Sequence, residues 1–73
     1  MTSNIVRVVC GGYSVTYDPG LPPMLRFTVR GWGGRIVRLR APYGEAHRAL
    51  VHECGLTKTD ASRLLDQASG GES

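Results

Sequence analysis

Within the first 40 residues, segments such as 13–17 and 24–30 alternate hydrophobic and polar side chains with a period of two, which is the pattern of β-strands. The segments 5–10 (IVRVVC) and 13–17 (YSVTY) are rich in β-branched and aromatic residues, which favour strands. Gly11 and Gly12 separate the two segments and are a typical signal for a two-residue turn. These residues therefore predict a first β-hairpin.

A second hairpin is predicted from two further alternating segments, 24–30 (MLRFTVR) and 35–40 (RIVRLR). The residues 31–34 (GWGG) join them, and their glycines can adopt the positive φ angles that tight turns require. The three prolines within 18–23 predict a loop between the hairpins, since proline lacks the N–H group that a sheet needs.

Two helices are predicted after the strands. Pro42 suits a helix start, and apolar residues at helical spacing follow it within 45–54. Gly55 is suited to end this helix, and Thr57 with Asp60 three residues later resembles the capping box that opens a second one. The two apolar stripes consist of Ala46, Ala49, Leu50, Val51 and Cys54, and of Ala61, Leu64, Leu65 and Ala68.

The order of elements, ββββαα, predicts an α+β fold in which two C-terminal helices cover one face of a four-stranded, mainly antiparallel sheet. We expect one small domain over 1–68 and a flexible tail over 69–73. Alternation assigns to the covered face Val6, Val8, Tyr13, Val15, Tyr17, Leu25, Phe27, Val29, Val37 and Leu39. It assigns to an open face, left to water, Arg7, Ser14, Thr16, Arg26, Thr28, Arg30, Arg38 and Arg40.

Positive charge is concentrated in the strands. The formal net charge is +3, and residues 1–40 carry six arginines with a single acidic residue, Asp18. Residues 41–73 carry three basic and five acidic residues, so the second half of the chain is net negative. A basic surface of this kind favours a nucleic acid or an acidic protein as partner, although charge also serves solubility alone.

Trp32, the only tryptophan, lies in the predicted turn between Gly31 and Gly33, with Arg35 close behind. In one interpretation it stacks on a base or anchors a protein interface beside the arginines of the open face. In the other, it folds back and seals one end of a thin core, because tryptophan buries a large area. The sequence leaves both roles open.

The segment 47–66 (HRALVHECGLTKTDASRLLD) resembles the helix-turn-helix segment of DNA-binding regulators. The resemblance is carried by Leu50, Cys54, Gly55, Leu56 and Leu64, whereas Val51 and Ala61 depart from the pattern. It implies that DNA would be faced by Thr57, Lys58, Thr59, Ser62 and Arg63. The same segment is also similar to the glycine-turned helix pair of the ribosomal stalk protein's C-terminal domain, which is a protein-binding element.

Cys10 and Cys54 both lie in apolar patterns and are predicted to be buried, reduced and unpaired. The residues before Cys10 lack the features of a signal peptide. No apolar run approaches the roughly 20 residues of a membrane helix. We therefore expect a cytoplasmic protein without a membrane partner.

The sequence shows no motif for catalysis or for a cofactor. His47, His52 and Cys54 form an H-x4-H-x-C pattern, which is not a typical spacing of zinc ligands. No phosphate-binding glycine loop and no nucleophile–base pair is apparent. We therefore expect a protein that is not an enzyme and that holds neither a metal nor a cofactor.

The leading hypothesis is a small nucleic-acid-binding regulator that uses either the arginine-rich sheet face or the helix pair. The alternative is an inhibitor or adaptor, of the kind that phages and mobile elements encode, that occupies an acidic surface of a partner protein. The candidate binding residues are Arg7, Arg26, Arg30, Trp32, Arg35, Arg38, Arg40, Lys58 and Arg63. The sequence leaves open the choice between DNA and RNA and the oligomeric state.

Overall fold

The computed structural model describes residues 5–70 and confirms the predicted α+β fold. Four antiparallel strands form one sheet in the order in which they occur along the chain, and two helices follow. The strands are β1 (Val6–Cys10), β2 (Tyr13–Tyr17), β3 (Phe27–Arg30) and β4 (Ile36–Ala41). The helices are α1 (Tyr43–His52) and α2 (Lys58–Ser69).

The first hairpin follows the prediction closely. All five residues of β1 pair with β2 without a break in register, from Val6 opposite Tyr17 to Cys10 opposite Tyr13. Gly11 has a φ of +60°, which the turn requires and which residues other than glycine rarely adopt.

The strand β3 begins later than predicted. Pro23–Leu25 form a short 3-10 turn, in which the N–H of Leu25 donates to the carbonyl of Pro22 at 2.8 Å. Proline at the start of this turn already has the φ angle that the turn needs, which explains why the chain coils here before it extends. Leu25 is consequently exposed, and its predicted place on the covered face is wrong.

The strand β4 departs from strict alternation. Phe27 pairs with Ala41 and Val29 with Arg38, so that two steps along β3 are matched by three along β4. A second irregularity lies between Val29 and Arg30. Each extra residue reverses the faces of the residues beyond it. The sequence predicted that Leu39 lies on the covered face and Arg38 on the open face, and both predictions are wrong.

The core lies between the two central strands and the helices. Val15 of β2, Val29 of β3, Leu50 of α1 and Leu65 of α2 are completely buried. The predicted helical stripes are confirmed, because all their members except the half-buried Val51 are buried. The helix α1 packs mainly on β3 and β4, and α2 on β1 and β2, so within residues 5–70 the opposite face of the sheet is left uncovered.

The helix ends match the sequence signals. The hydroxyl of Thr57 accepts a hydrogen bond from the N–H of Asp60 at 3.1 Å and so caps α2. At the other end of α2, Gly70 has a φ of +71° and forms the C-cap. Ser69, the first residue of the predicted tail, is therefore the last residue of α2, and the rest of that prediction, 71–73, lies outside the described residues.

The two cysteines differ in environment. Cys54 is 8% exposed and packs in the core, as predicted. Cys10 is exposed, so the prediction of its burial is wrong, because β1 is an edge strand that α2 covers only in part. Neither helix of the described chain is long and apolar enough to cross a membrane.

Candidate nucleic-acid interface

The uncovered face of the sheet carries a row of polar residues that crosses the strands. Arg7 of β1 lies opposite Thr16 of β2, which lies opposite Thr28 of β3. Directly opposed residues of antiparallel strands point to the same face, so the three side chains share the uncovered face. The backbone N–H of Arg40 in β4 donates to the hydroxyl of Thr28 at 3.3 Å and completes the row.

The threonine hydroxyls and the backbone help to orient the arginines. A guanidinium N–H of Arg30 donates to the hydroxyl of Thr16 at 3.4 Å. The Nε–H of Arg26 donates to the carbonyl of Leu21 at 2.9 Å. Arg26, Arg30 and Arg40 line one shallow depression of about 190 Å³ with both threonines. We define the open-face arginines as Arg7, Arg26, Arg30 and Arg40.

Little negative charge opposes Arg7, Arg30 and Arg40. Within residues 5–70, no acidic side chain forms an ion pair with Arg7, Arg30 or Arg40. The one carboxylate that borders the depression belongs to Asp18, and it accepts a hydrogen bond from the N–H of Gly20 at 2.9 Å. Three positive charges are thus available to an outside anion, which guanidinium groups bind in a bidentate way.

Arg40 has an unusual backbone conformation. Its φ is +48°, the only positive φ of a residue other than glycine in the described part of the chain. A side chain in this region costs of order 1–2 kcal/mol, and such outliers are concentrated at functional sites. The cause is local: Arg40 lies in the irregular part of β4, between Arg38, which pairs with Val29, and Ala41, which pairs with Phe27.

Exposed aliphatic side chains accompany the arginines. Leu39 and Ile5 line the same depression and are 59% and 62% exposed. Val9 and Ile36, at 64% and 48%, lie at the two ends of the cross-strand row that contains Arg30. The sequence did not predict Leu39 on the open face, because an irregularity in β4 turns its side chain outward. No glycine or other turn residue marks that irregularity in the sequence.

Arg38 does not belong to the open face. Its guanidinium forms an ion pair with the carboxylate of Glu45 in α1, so its side chain points to the helix side of the sheet. The prediction that Arg38 shares a face with Arg30 and Arg40 is therefore wrong. Alternation failed here because the irregularities in β4 place Arg38 and Arg40, two positions apart, on opposite sides.

Trp32 and Arg35 form a separate surface at the end of the sheet. Trp32 is 72% exposed, so it does not seal the core. Its ring contacts Tyr13 edge-on, with 5.8 Å between the ring centroids. Trp32 and Arg35 border an open groove of about 350 Å³ together with Tyr13, Ile36, Val37, Glu53 and Cys54. Most of these residues belong to the helix side, so Trp32 is not part of the open face.

The helix pair places Lys58 and Arg63 on a third surface. Both are exposed on α2, where Arg63 lies 3.8 Å from the carboxylate of Asp60. The carbonyl of Lys58 lies 3.1 Å from the ring nitrogen Nε2 of His47, which joins the two helices. Gly55 turns the chain between them with a φ of +76°. Positive charge is thus partly cancelled on this surface, unlike on the open face.

Comparisons with protein-family models, with curated proteins and with solved structures find no match to this chain. Among residues 5–70, no group of three or more histidine, cysteine, aspartate or glutamate side chains could hold a metal ion.

Proposed function

We propose that this protein is a small nucleic-acid-binding regulator whose open face contacts the phosphate backbone. The observation that carries the proposal is the group formed by Arg7, Arg30 and Arg40, which occupy one face without an ion pair among residues 5–70. The row from β1 to β4 spans about 14 Å, since neighbouring strands lie about 4.8 Å apart. That width suits contact with several phosphates at once.

The composition of the open face favours the backbone over stacked bases. Proteins that bind single strands commonly stack bases on aromatic rings. Here the aromatic residues of the strands, Tyr13, Tyr17 and Phe27, lie on the helix side and pack in or against the core. Arginine and threonine are left to contact phosphate and sugar, which predicts binding to duplexes with little dependence on sequence.

The shape of the domain favours binding over catalysis. The cavities along its described surface are open to solvent, and the arginines lie on an exposed face of the sheet. A catalytic site normally excludes water around an acid–base or nucleophilic pair. We accordingly propose a non-enzymatic function that needs neither a metal nor a cofactor, carried out in the cytoplasm.

The test compares two arginines that are two residues apart but lie on opposite faces. Binding to random duplex DNA, duplex RNA and single strands is measured across a salt series for Arg40→Ala and Arg38→Ala. Both variants lose one positive charge, Arg40→Ala from the open face and Arg38→Ala from the ion pair with Glu45 on the helix side. We expect Arg40→Ala to lower the slope of log affinity against log salt by about one unit and Arg38→Ala to leave it unchanged.

Other outcomes are equally informative. A wild-type protein that binds none of these nucleic acids at low salt contradicts the proposal. Equal loss in both variants shows that net charge, and not the open face, attracts the nucleic acid. If Arg63→Ala instead changes the preference between sequences while Arg40→Ala has no effect, α2 is the binding element, as the helix-turn-helix resemblance implies.

A protein partner is the second candidate function, and the exposure of Trp32 favours it. Tryptophan is enriched among residues that dominate binding energy at protein interfaces, and arginine accompanies it there. At 72% exposure, Trp32 beside Arg35 has the character of such an anchor. A partner protein with an acidic surface would complement Arg35, and the domain would then act as an inhibitor or adaptor.

Capture from nuclease-treated lysate tests this second candidate. We expect a specific partner to be retained by the wild type and lost with Trp32→Ala. The matched control is Met24→Ala, because Met24 is equally exposed, at 69%, and lies on the separate turn Pro23–Leu25. Equal recovery with all three proteins contradicts a role for Trp32 as an anchor.

A further inference from the structure

The strand β1 is an edge strand with unused hydrogen-bonding groups. In the described part of the chain, β2 is its only neighbouring strand. In a hairpin with a two-residue turn, the residues that flank the turn exchange both backbone bonds, and every second residue repeats this. Cys10, Val8 and Val6 therefore bond to β2, whereas the backbone groups of Arg7 and Val9 point away from the sheet.

The two edges of the sheet differ. The strand β4 is interrupted by two register shifts and by the left-handed Arg40, and such irregularities prevent another strand from pairing along an edge. The strand β1 has an unbroken register and contains neither proline nor lysine. It also exposes apolar side chains, with Val6 at 37% and Val9 at 64%. A regular, apolar edge is a template for another strand.

We propose that β1 pairs in an antiparallel manner with β1 of a second copy of this chain, which makes one continuous sheet of both copies. The proposal does not depend on the function proposed above. Closed two-fold symmetry is the commonest arrangement of soluble oligomers, and an antiparallel pair of identical strands has this symmetry. The two open faces become continuous across the new pair.

The sequence of β1 selects one register. Full overlap of Val6–Cys10 with itself is centred on Val8, and this places Arg7 opposite Val9 of the second copy. Arg7 and Val9 are the residues with outward backbone groups, so they form the hydrogen-bonded pairs. A register centred on Arg7 would place two like charges directly opposite each other, which is unfavourable.

The helix side of the same edge carries an exposed ion pair of α2. An open groove of about 270 Å³ beside Val9 and Cys10 is lined by Asp60 and Arg63 of α2. The side chains of Arg63 and Asp60 are 68% and 53% exposed. In the register centred on Val8, this groove of one copy lies beside the Val6 end of β1 in the second copy.

The mass of the protein in nucleic-acid-free solution tests the proposal. We expect light scattering after gel filtration to give twice the mass of one 7.9-kDa chain. Val9→Lys places a charge on the β1 edge and is expected to give the monomer. The matched control is Ile36→Lys, because Ile36 ends the same cross-strand row on the other edge and is similarly exposed. This control is expected to remain a dimer.

A cysteine cross-link tests the register and does not depend on the lysine variants. In the proposed pair, Val6 lies opposite Cys10 of the second copy at a position without hydrogen bonds, with Cα atoms about 4.5 Å apart. That separation permits a disulfide, which needs about 4.4–6.8 Å. We expect V6C to form disulfide-linked dimers under mild oxidation, and neither the wild type nor V6C/C10S to do so.

The outcomes separate this proposal from the proposed function. A wild type that keeps the mass of one chain in the most concentrated sample overturns the dimer, whatever it binds. A dimer that survives Val9→Lys but is lost with Ile36→Lys overturns the assignment to β1. Loss of nucleic-acid affinity with a preserved dimer, or the reverse, shows which of the two proposals fails.

Discussion

The indole ring of Trp32 lies directly over Gly12. A Cβ atom placed on Gly12 would be 2.5 Å from Cδ2 of the indole, which no real contact tolerates. Glycine at this turn position therefore permits the ring to contact the backbone, and the rings of Trp32 and Tyr13 pack in a T-shaped arrangement. The exposed tryptophan thus has a defined position on the first hairpin, although its own turn consists largely of glycine.

Gly12→Ala is expected to displace the indole of Trp32. The backbone of Gly12 does not need a positive φ, so the new methyl group acts through the ring alone. We expect a changed Trp32 fluorescence spectrum and a loss of about 1 kcal/mol in the free energy of unfolding, the lower end for an overpacked contact. The loss is expected to disappear in the background of Trp32→Ala, where no ring remains to be displaced.

Gly11→Ala is the control for this effect. Gly11 has a φ of +60°, and no atom lies within 4 Å of the position that a methyl group would take, so alanine there strains only the backbone. We expect a similar loss of stability with unchanged Trp32 fluorescence. Unchanged fluorescence in Gly12→Ala as well would contradict the contact between Trp32 and Gly12.

Arg40→Gly is expected to stabilise the fold while it weakens binding. Glycine adopts the φ of +48° without strain, which should raise the free energy of unfolding by about 1 kcal/mol. Chemical denaturation measures this gain, and Arg40→Ala, which keeps the strained backbone, should show none. If nucleic-acid affinity falls equally in both variants, the guanidinium of Arg40 is responsible for binding. The backbone strain of Arg40 then contributes nothing to affinity.

The two cysteines are expected to react with a thiol reagent at different rates. Cys10 is exposed and should react at once, whereas Cys54 is buried and should react only when the protein opens. Burial, with a smaller contribution from the charge of Glu53, raises the pKa of the Cys54 thiol. Two fast thiols in the native protein would contradict the burial of Cys54.

The raised pKa of Cys54 also predicts a loss of stability at alkaline pH. The folded state holds the thiol proton more tightly than the unfolded state, so this contribution is complete below the unfolded pKa of about 8.5. It is lost as the pH rises from there through the pKa of the folded state. Denaturation curves over this range should show a steeper decline for the wild type than for Cys54→Ala.

Leu64→Ala is expected to destabilise the domain strongly. Leu64 is 5% exposed in the core between α2 and the sheet, and truncation of a buried leucine costs about 2–5 kcal/mol. Leu39→Ala is the control, because Leu39 is 59% exposed and should change stability by less than about 0.5 kcal/mol. Similar melting temperatures for the two variants would contradict the assignment of inner and outer faces.

The order of elements, the pairing of the hairpins and the buried stripes of the helices could all be predicted from the sequence. These features depend on neighbours in the chain. Alternation in β2 places Val15 inward and Thr16 outward, Gly11 supplies the φ that its turn needs, and Thr57 caps α2 with its own hydroxyl. A local cause of this kind can be recognised in a few consecutive residues.

The membership of the candidate interface, in contrast, depends on long-range contacts. The register of β4 depends on how Ala41 and Arg38 pair with β3. A shift of one residue places Arg38 next to Glu45 on the helix side and Leu39 on the open face. The exposure of Cys10 depends on how far α2 extends over an edge strand, and that of Trp32 on the space above Gly12. These outcomes arise from contacts between residues distant in sequence, which a local pattern of hydrophobic and polar positions does not contain.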